Sequence, residues 1–111
     1  MNLKESIQRK LTEFLSLCKS HQVKSIHAFG SSINNNFNDE TSDFDLLIEI
    51  DSDDPIVRGE NLLSIWDKLE ELFQRKVDLL TNSSIRNPIL KRSIDSTKIL
   101  IYDGKEQKIS F

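Results

Sequence analysis

The sequence predicts an α/β (α+β) fold, a small mixed β-sheet of about four strands packed against helices. Three observations point there. Apolar residues recur at helical spacing over residues 2–20 and 60–74. Short runs at 23–29, 43–50, 76–80 and 98–102 carry strand-like composition or alternation. Helical and strand segments alternate along the chain with no linker between them, so one domain over residues 1–111 is expected.

In the first helix, Leu3, Ile7, Leu11, Phe14, Leu15 and Cys18 fall on one stripe. Asn2 and Glu5 make a capping-box-like start. Val23 to Phe29 reads as a strand that runs into Gly30-Ser31-Ser32, and a turn-rich polar segment follows to Ser42. Asp43 to Ile50 alternates. Phe44, Leu46, Ile48 and Ile50 should face the core, leaving Asp43, Asp45, Leu47 and Glu49 on the other face. An acidic loop, residues 51–54, leads to a helix over about 60–74, with Leu62, Ile65, Trp66, Leu69, Leu72 and Phe73 inward. Lys76 to Leu80 is a short strand. Asn87-Pro88 marks an N-cap with proline at the first helical position, opening a helix to about Asp95. Lys98 to Tyr102 is a last strand, and a loose tail is expected over about 104–111.

Composition limits the function. The 111 residues are 37% hydrophobic and 30% charged, with a net charge of −3. A domain that binds long nucleic acid usually shows a basic balance, so direct nucleic-acid binding is not expected. The single cysteine cannot form a disulfide within the chain, which suits a reducing cytoplasm. Apolar runs are too short for a membrane span, and residues 1–5 lack the apolar core of a signal peptide.

Three features carry chemistry. Gly30-Ser31 ends a strand, where a glycine lets the backbone approach a phosphate and a hydroxyl can bind its oxygens. Asp43 and Asp45 stand at i and i+2, so their carboxylates sit side by side on a strand. A divalent cation such as Mg²⁺ relieves their repulsion. Asp78 is an isolated acid in Val77-Asp78-Leu79-Leu80, and a lone charge in an apolar strand is costly unless paired. If the two strands are neighbours, Asp78 joins the pair. Three carboxylates and a phosphate-holding turn are what two-metal phosphoryl transfer requires.

The strings His27-Ala28-Phe29-Gly30-Ser31-Ser32, Ser42-Asp43-Phe44-Asp45-Leu46-Leu47-Ile48-Glu49 and Val77-Asp78-Leu79-Leu80 resemble the DNA polymerase beta-type nucleotidyltransferases. The resemblance is closest to the minimal nucleotidyltransferases and covers about residues 5–104. It implies that Gly30 and Ser31 hold the β- and γ-phosphates of ATP or another nucleoside triphosphate. It implies that Asp43, Asp45 and Asp78 are catalytic and bind two Mg²⁺ ions, Asp78 also serving the attacking hydroxyl. It further implies an antitoxin that adds AMP to a tyrosine of a HEPN-domain partner. One departure stands out. Ser32-Ile33-Asn34-Asn35-Asn36-Phe37 holds none of the arginines and no glycine that the family usually carries after Gly-Ser.

Other polar residues have plainer readings. His27 reads as a strand histidine rather than a base. Glu49 lies about 13 Å along the strand from Asp45 at ~3.3 Å per residue, outside the metal site. Lys91 and Arg92 read as solvated, although either would supply a missing cation, and Trp66 as core or interface. A chain of this length leaves no room for a separate acceptor-binding domain, so the acceptor is expected from elsewhere. Two alternatives remain: a catalytically weak module that neutralises a HEPN-type partner by contact, and a subunit of a transferase acting on a small molecule.

Overall fold

Residues 2–20, expected as one helix, form two: α1 (Leu3–Arg9) and α2 (Leu11–Ser20). They are seen in a computed structural model that describes residues 2–32 and 43–111, the side chain of Ser31 excepted. The segment 33–42, expected to be turn-rich, lies outside the described residues. Asn2 caps α1 as expected, accepting from the Glu5 N–H at 2.9 Å. The break falls at Lys10, whose φ of −119° and ψ of 32° leave the helical region. The bend brings both Leu3–Ile7 and Phe14–Cys18 onto the core and turns Leu11 outward to 40% exposure. Cys18 is fully buried, and burial pushes its thiol pKa up to about 12, so it is an inert apolar residue.

The strands are β1 (Val23–Ala28), β2 (Phe44–Ile50), β3 (Val77–Leu80), β4 (Ile99–Asp103) and β5 (Lys108–Ile109). They form one mixed sheet in the order β3-β2-β1-β4-β5. Among the described residues only the β2–β3 pairing is parallel. The fifth strand corrects the expected loose tail. The chain turns back after Asp103, and the Gly104 N–H donates to the Lys24 carbonyl at 2.8 Å. A Cβ on Gly104 would collide with the Val23 and Lys24 carbonyl oxygens, so glycine is needed for this close approach.

The parallel pair is joined by α3 (Pro55–Phe73), which begins five residues earlier than expected. Asp54 is its N-cap, accepting from the Ile56 N–H at 2.9 Å, with Pro55 in the first turn. The fourth helix, α4 (Pro88–Thr97), starts where Asn87-Pro88 predicted. Asn87 accepts from the N–H groups of Ile89 and Leu90.

The sheet has two dressed faces. On one, Phe44, Leu46, Ile48 and Ile50 of β2 join Ile26, Val77, Leu79 and Ile101 against α1, α2 and α3. Phe14, Phe44 and Phe73 pack ring to ring within this core, 5.4–6.0 Å between centroids. On the other face, Leu47 packs with Phe29 and Ile94 of α4, with Leu80 and Ile85 beside them. β2 is therefore apolar on both faces except at Asp45 and Glu49, which are half-buried.

Among the described residues, β3 is an outer strand of the sheet. Side chains of α3 close part of its edge. The Val77 N–H donates to Glu70 Oε2 at 2.9 Å, and Trp66 Nε1 donates to the Val77 carbonyl at 2.8 Å. These bonds fix β3 against the helix that precedes it and so fix where Asp78 stands. No described helix is long and apolar enough to cross a membrane.

Candidate active site

The parallel register makes Asp45 and Asp78 direct partners on β2 and β3. Directly opposed residues share a face, and neighbouring strands lie about 4.8 Å apart. Val77 and Leu79 are buried while Asp78 is exposed, as the alternation predicted. Asp43 precedes the first paired residue, Phe44, rather than lying within the strand, and is half-buried.

Gly30–Ser32 form a single 3₁₀ turn at the end of β1. Gly30 has a φ of +61°, a left-handed conformation that glycine adopts readily. A Cβ on Gly30 would lie 2.7 Å from Asp45 Oδ2. The bare Cα is thus the space into which the Asp45 carboxylate fits. The turn is also bonded to β2. The Phe29 N–H donates to the Asp45 carbonyl at 3.1 Å, and the Asp45 N–H donates to Ser32 Oγ at 2.6 Å. The backbone of Ser31 belongs to this turn, and its side chain lies outside the described ones.

Gly30, Asp45 and Asp78 are therefore brought together, with Asp43 at the entry to the same strand. Among the described residues no three His, Cys, Asp or Glu side chains converge closely enough to hold a metal ion by themselves. An open arrangement suits Mg²⁺, which is commonly held by one or two carboxylates, with substrate phosphates and water completing the octahedron. The donor set is all oxygen, as a hard cation prefers. The glycine cradle leaves backbone close beside one carboxylate, where phosphate oxygens can approach. The residues present fit the cation.

Other residues stand apart. Glu49 is outside the site, as expected, and its Oε1 accepts from the Asn82 N–H at 3.0 Å, holding the turn after β3. His27 lies in β1 opposite Leu47 and Leu100. Burial pushes its pKa below the ordinary 6.5, the Lys98 ammonium adds to this, and Glu49 opposes it. Lys91 and Arg92 are exposed on α4. The sequence reading passed over Ser32, although a serine in a glycine-led turn is a familiar acceptor for backbone N–H groups. It also passed over Lys76. The Lys76 carbonyl accepts from the Phe44 N–H at 3.2 Å, so its position is level with Asp43 at the start of the parallel pair.

The family profile described as "Nucleotidyltransferase domain" matches residues 9–101. Two proteins of Methanocaldococcus jannaschii that carry the provisional name protein adenylyltransferase align over most of the chain. MJ0126 is 36% identical over 99 residues, 89% of this chain and 94% of its own. MJ1217 is 36% identical over 97 residues, 87% and 93% of the two chains. A solved structure provisionally named a minimal nucleotidyltransferase superposes with a TM-score of 0.62 at 25% identity, covering 89% of this chain and 95% of that one. A toxin–antitoxin complex with AMP-PNP shares the fold, with a TM-score of 0.56 at 20% identity over 86% and 76% of the chains. The five-stranded mixed sheet, the glycine turn against Asp45 and these matches place the chain in one group: it belongs to the nucleotidyltransferase-domain family, alongside its minimal members.

Proposed function

We propose that the chain transfers AMP from ATP, or the corresponding monophosphate from another nucleoside triphosphate, to a hydroxyl group of a partner protein. The observation that carries this reading is the direct pairing of Asp45 with Asp78, with the Gly30 turn packed on the Asp45 carboxylate. A turn that admits phosphate beside paired carboxylates suits an in-line attack at the α-phosphorus. The acceptor oxygen bonds to that phosphorus as its proton passes to Asp78 or to water, the bond to the α–β bridging oxygen breaks, and pyrophosphate leaves.

Asp43, Asp45 and Asp78 would hold Mg²⁺, which when bound offsets the charge of the triphosphate. Gly30 and Ser31 would support the β- and γ-phosphates through the turn. Asp78, the more exposed of the paired acids, lies where an acceptor hydroxyl can reach it and takes the role of orienting that hydroxyl. The protein acceptor is supported by the provisional names of the archaeal relatives. A HEPN-type toxin as that acceptor, in the cytoplasm, rests on the resemblance to minimal nucleotidyltransferases. The whole chain of 111 residues acts in this reading as one catalytic domain.

The test is transfer of label from α-³²P-ATP to a purified HEPN-type partner with Mg²⁺. Asp43→Asn, Asp45→Asn and Asp78→Ala should keep the fold and lose transfer. Asp78→Ala should keep nucleotide binding, read as a thermal shift with Mg²⁺ and ATP. A second reading is favoured by the absence of a basic residue over residues 32–37: a module that neutralises its partner by contact alone. Neutralisation undiminished in all three variants, with no label transferred by the parent, would select it.

A further inference from the structure

Asp45 is joined to the glycine turn through both its backbone groups. Its carbonyl accepts from the Phe29 N–H, and its N–H donates to Ser32 Oγ at 2.6 Å. The turn closes on itself through the Ser32 N–H, which donates to the Phe29 carbonyl at 3.3 Å. Phe29, Ser32 and Asp45 thus form a closed ring of three hydrogen bonds. Gly30 sits inside that ring with its bare Cα against Asp45 Oδ2. Two of the three bonds are backbone to backbone and persist whatever the side chains. The third depends on one hydroxyl.

We propose that Ser32 is a positioning residue for the transfer reaction: its hydroxyl locks the Asp45 backbone to the phosphate turn and so sets where the Asp45 carboxylate stands. The proposal rests on the reading of Asp45 as a metal-binding carboxylate. Its chemistry is particular to a short side chain with an acceptor oxygen. Alanine offers no acceptor, and neither do lysine and arginine. Threonine keeps the hydroxyl. The turn and the carboxylate then move as one body, and a phosphate seated on the turn arrives at a fixed distance from Asp45. Displacing a reacting group by about 1 Å can lower a rate by about a hundredfold.

The experiment compares the parent, Ser32→Ala, Ser32→Thr and Asp45→Asn as full chains. Amide hydrogen exchange by NMR, on protein without metal or nucleotide, reads the lock directly. The Asp45 amide should exchange about tenfold faster in Ser32→Ala and at the parent's rate in Ser32→Thr. In the transfer assay, kcat should fall about tenfold to a hundredfold in Ser32→Ala, with a smaller change in KM for ATP, and threonine should restore it. If the alanine variant does not fold, Ser32→Cys, close in size and a weak acceptor, gives the same comparison. Unchanged Asp45 exchange would overturn the lock. A raised KM with an intact kcat would overturn it too, since Ser32 would then touch phosphate directly. If Asp45→Asn is dead while Ser32→Ala transfers normally, only the positioning role falls. If Asp45→Asn transfers normally, the reading of the carboxylate falls, and this proposal with it.

Discussion

Replacing Gly30 with alanine puts one methyl group into the space that organises the site. Two separate effects follow. At a φ of +61° an L side chain costs about 1–2 kcal/mol, and the bonds from Phe29 and Asp45 on either side keep the turn from relaxing. The new Cβ would also stand 2.7 Å from Asp45 Oδ2. An ordinary carbon–oxygen contact is about 3.3 Å or more, so the carboxylate must retreat by roughly 0.6 Å. The conformational term should lower the melting temperature by roughly 4–9 °C in a domain of this size. The displaced carboxylate should lower transfer by up to about a hundredfold at temperatures where the variant remains folded. Thermal unfolding by circular dichroism and transfer of labelled AMP measure the two effects separately. Gly59→Ala is the control, because Gly59 lies in α3, where an added Cβ would meet nothing within 4 Å. It should gain about 0.5–1 kcal/mol of stability and keep full transfer. A Gly30→Ala protein that melts with the parent and transfers at the parent's rate would refute the argument.

Three further outcomes are expected. Gly104→Ala should lose about 1–3 kcal/mol in denaturant unfolding, because its Cβ must displace the Val23 and Lys24 carbonyl oxygens, and transfer should persist while the protein is folded. His27 has a folded pKa below 6.5, so the unfolded chain takes up the proton first; its contribution is complete above about pH 6.5 and is lost as the pH falls towards the folded pKa. His27→Gln should therefore flatten the fall in stability over that acid window, and an unchanged slope in unfolding measurements from about pH 7.5 to 5 would refute the assignment. Cys18 should resist alkylation in the native protein at about pH 8 and react after denaturation, which mass spectrometry after iodoacetamide treatment reads directly.

Local signals in the sequence reach as far as neighbouring residues do. The alternation in β2 and β3 gave the inward set Phe44, Leu46, Ile48, Val77 and Leu79, and it put Asp78 outside. The Asn87-Pro88 cap located the start of α4, and the same logic at Asp54-Pro55 would have located α3, had the acidic loop not masked it. The break at Lys10 carries no proline or glycine and is set by packing, so a single apolar stripe reads straight through it. β5 is two residues long and gains its definition from β4 and from Gly104 against β1, which are contacts distant in sequence. The pairing of Asp45 with Asp78 was an inference from alternation alone until the register supplied it. The bond between Ser32 and Asp45 was not legible, because a serine in a glycine turn signals an acceptor but not which N–H it takes, and Asp45 is 13 residues away in sequence.

The outer strand that carries Asp78 has a further consequence. A bare strand edge is a template on which any extended chain can zip. Here Trp66 and Glu70 already occupy the outward carbonyl and N–H of Val77, one row from Asp78. Such a fence discourages two copies from stacking edge to edge on this side. At this row the β3 edge has no free backbone group to offer, so under the proposed transfer an acceptor protein would reach Asp78 over the face of the sheet, with a side chain rather than its backbone. The helix that links the two acid-bearing strands therefore also closes the sheet edge beside them at this row.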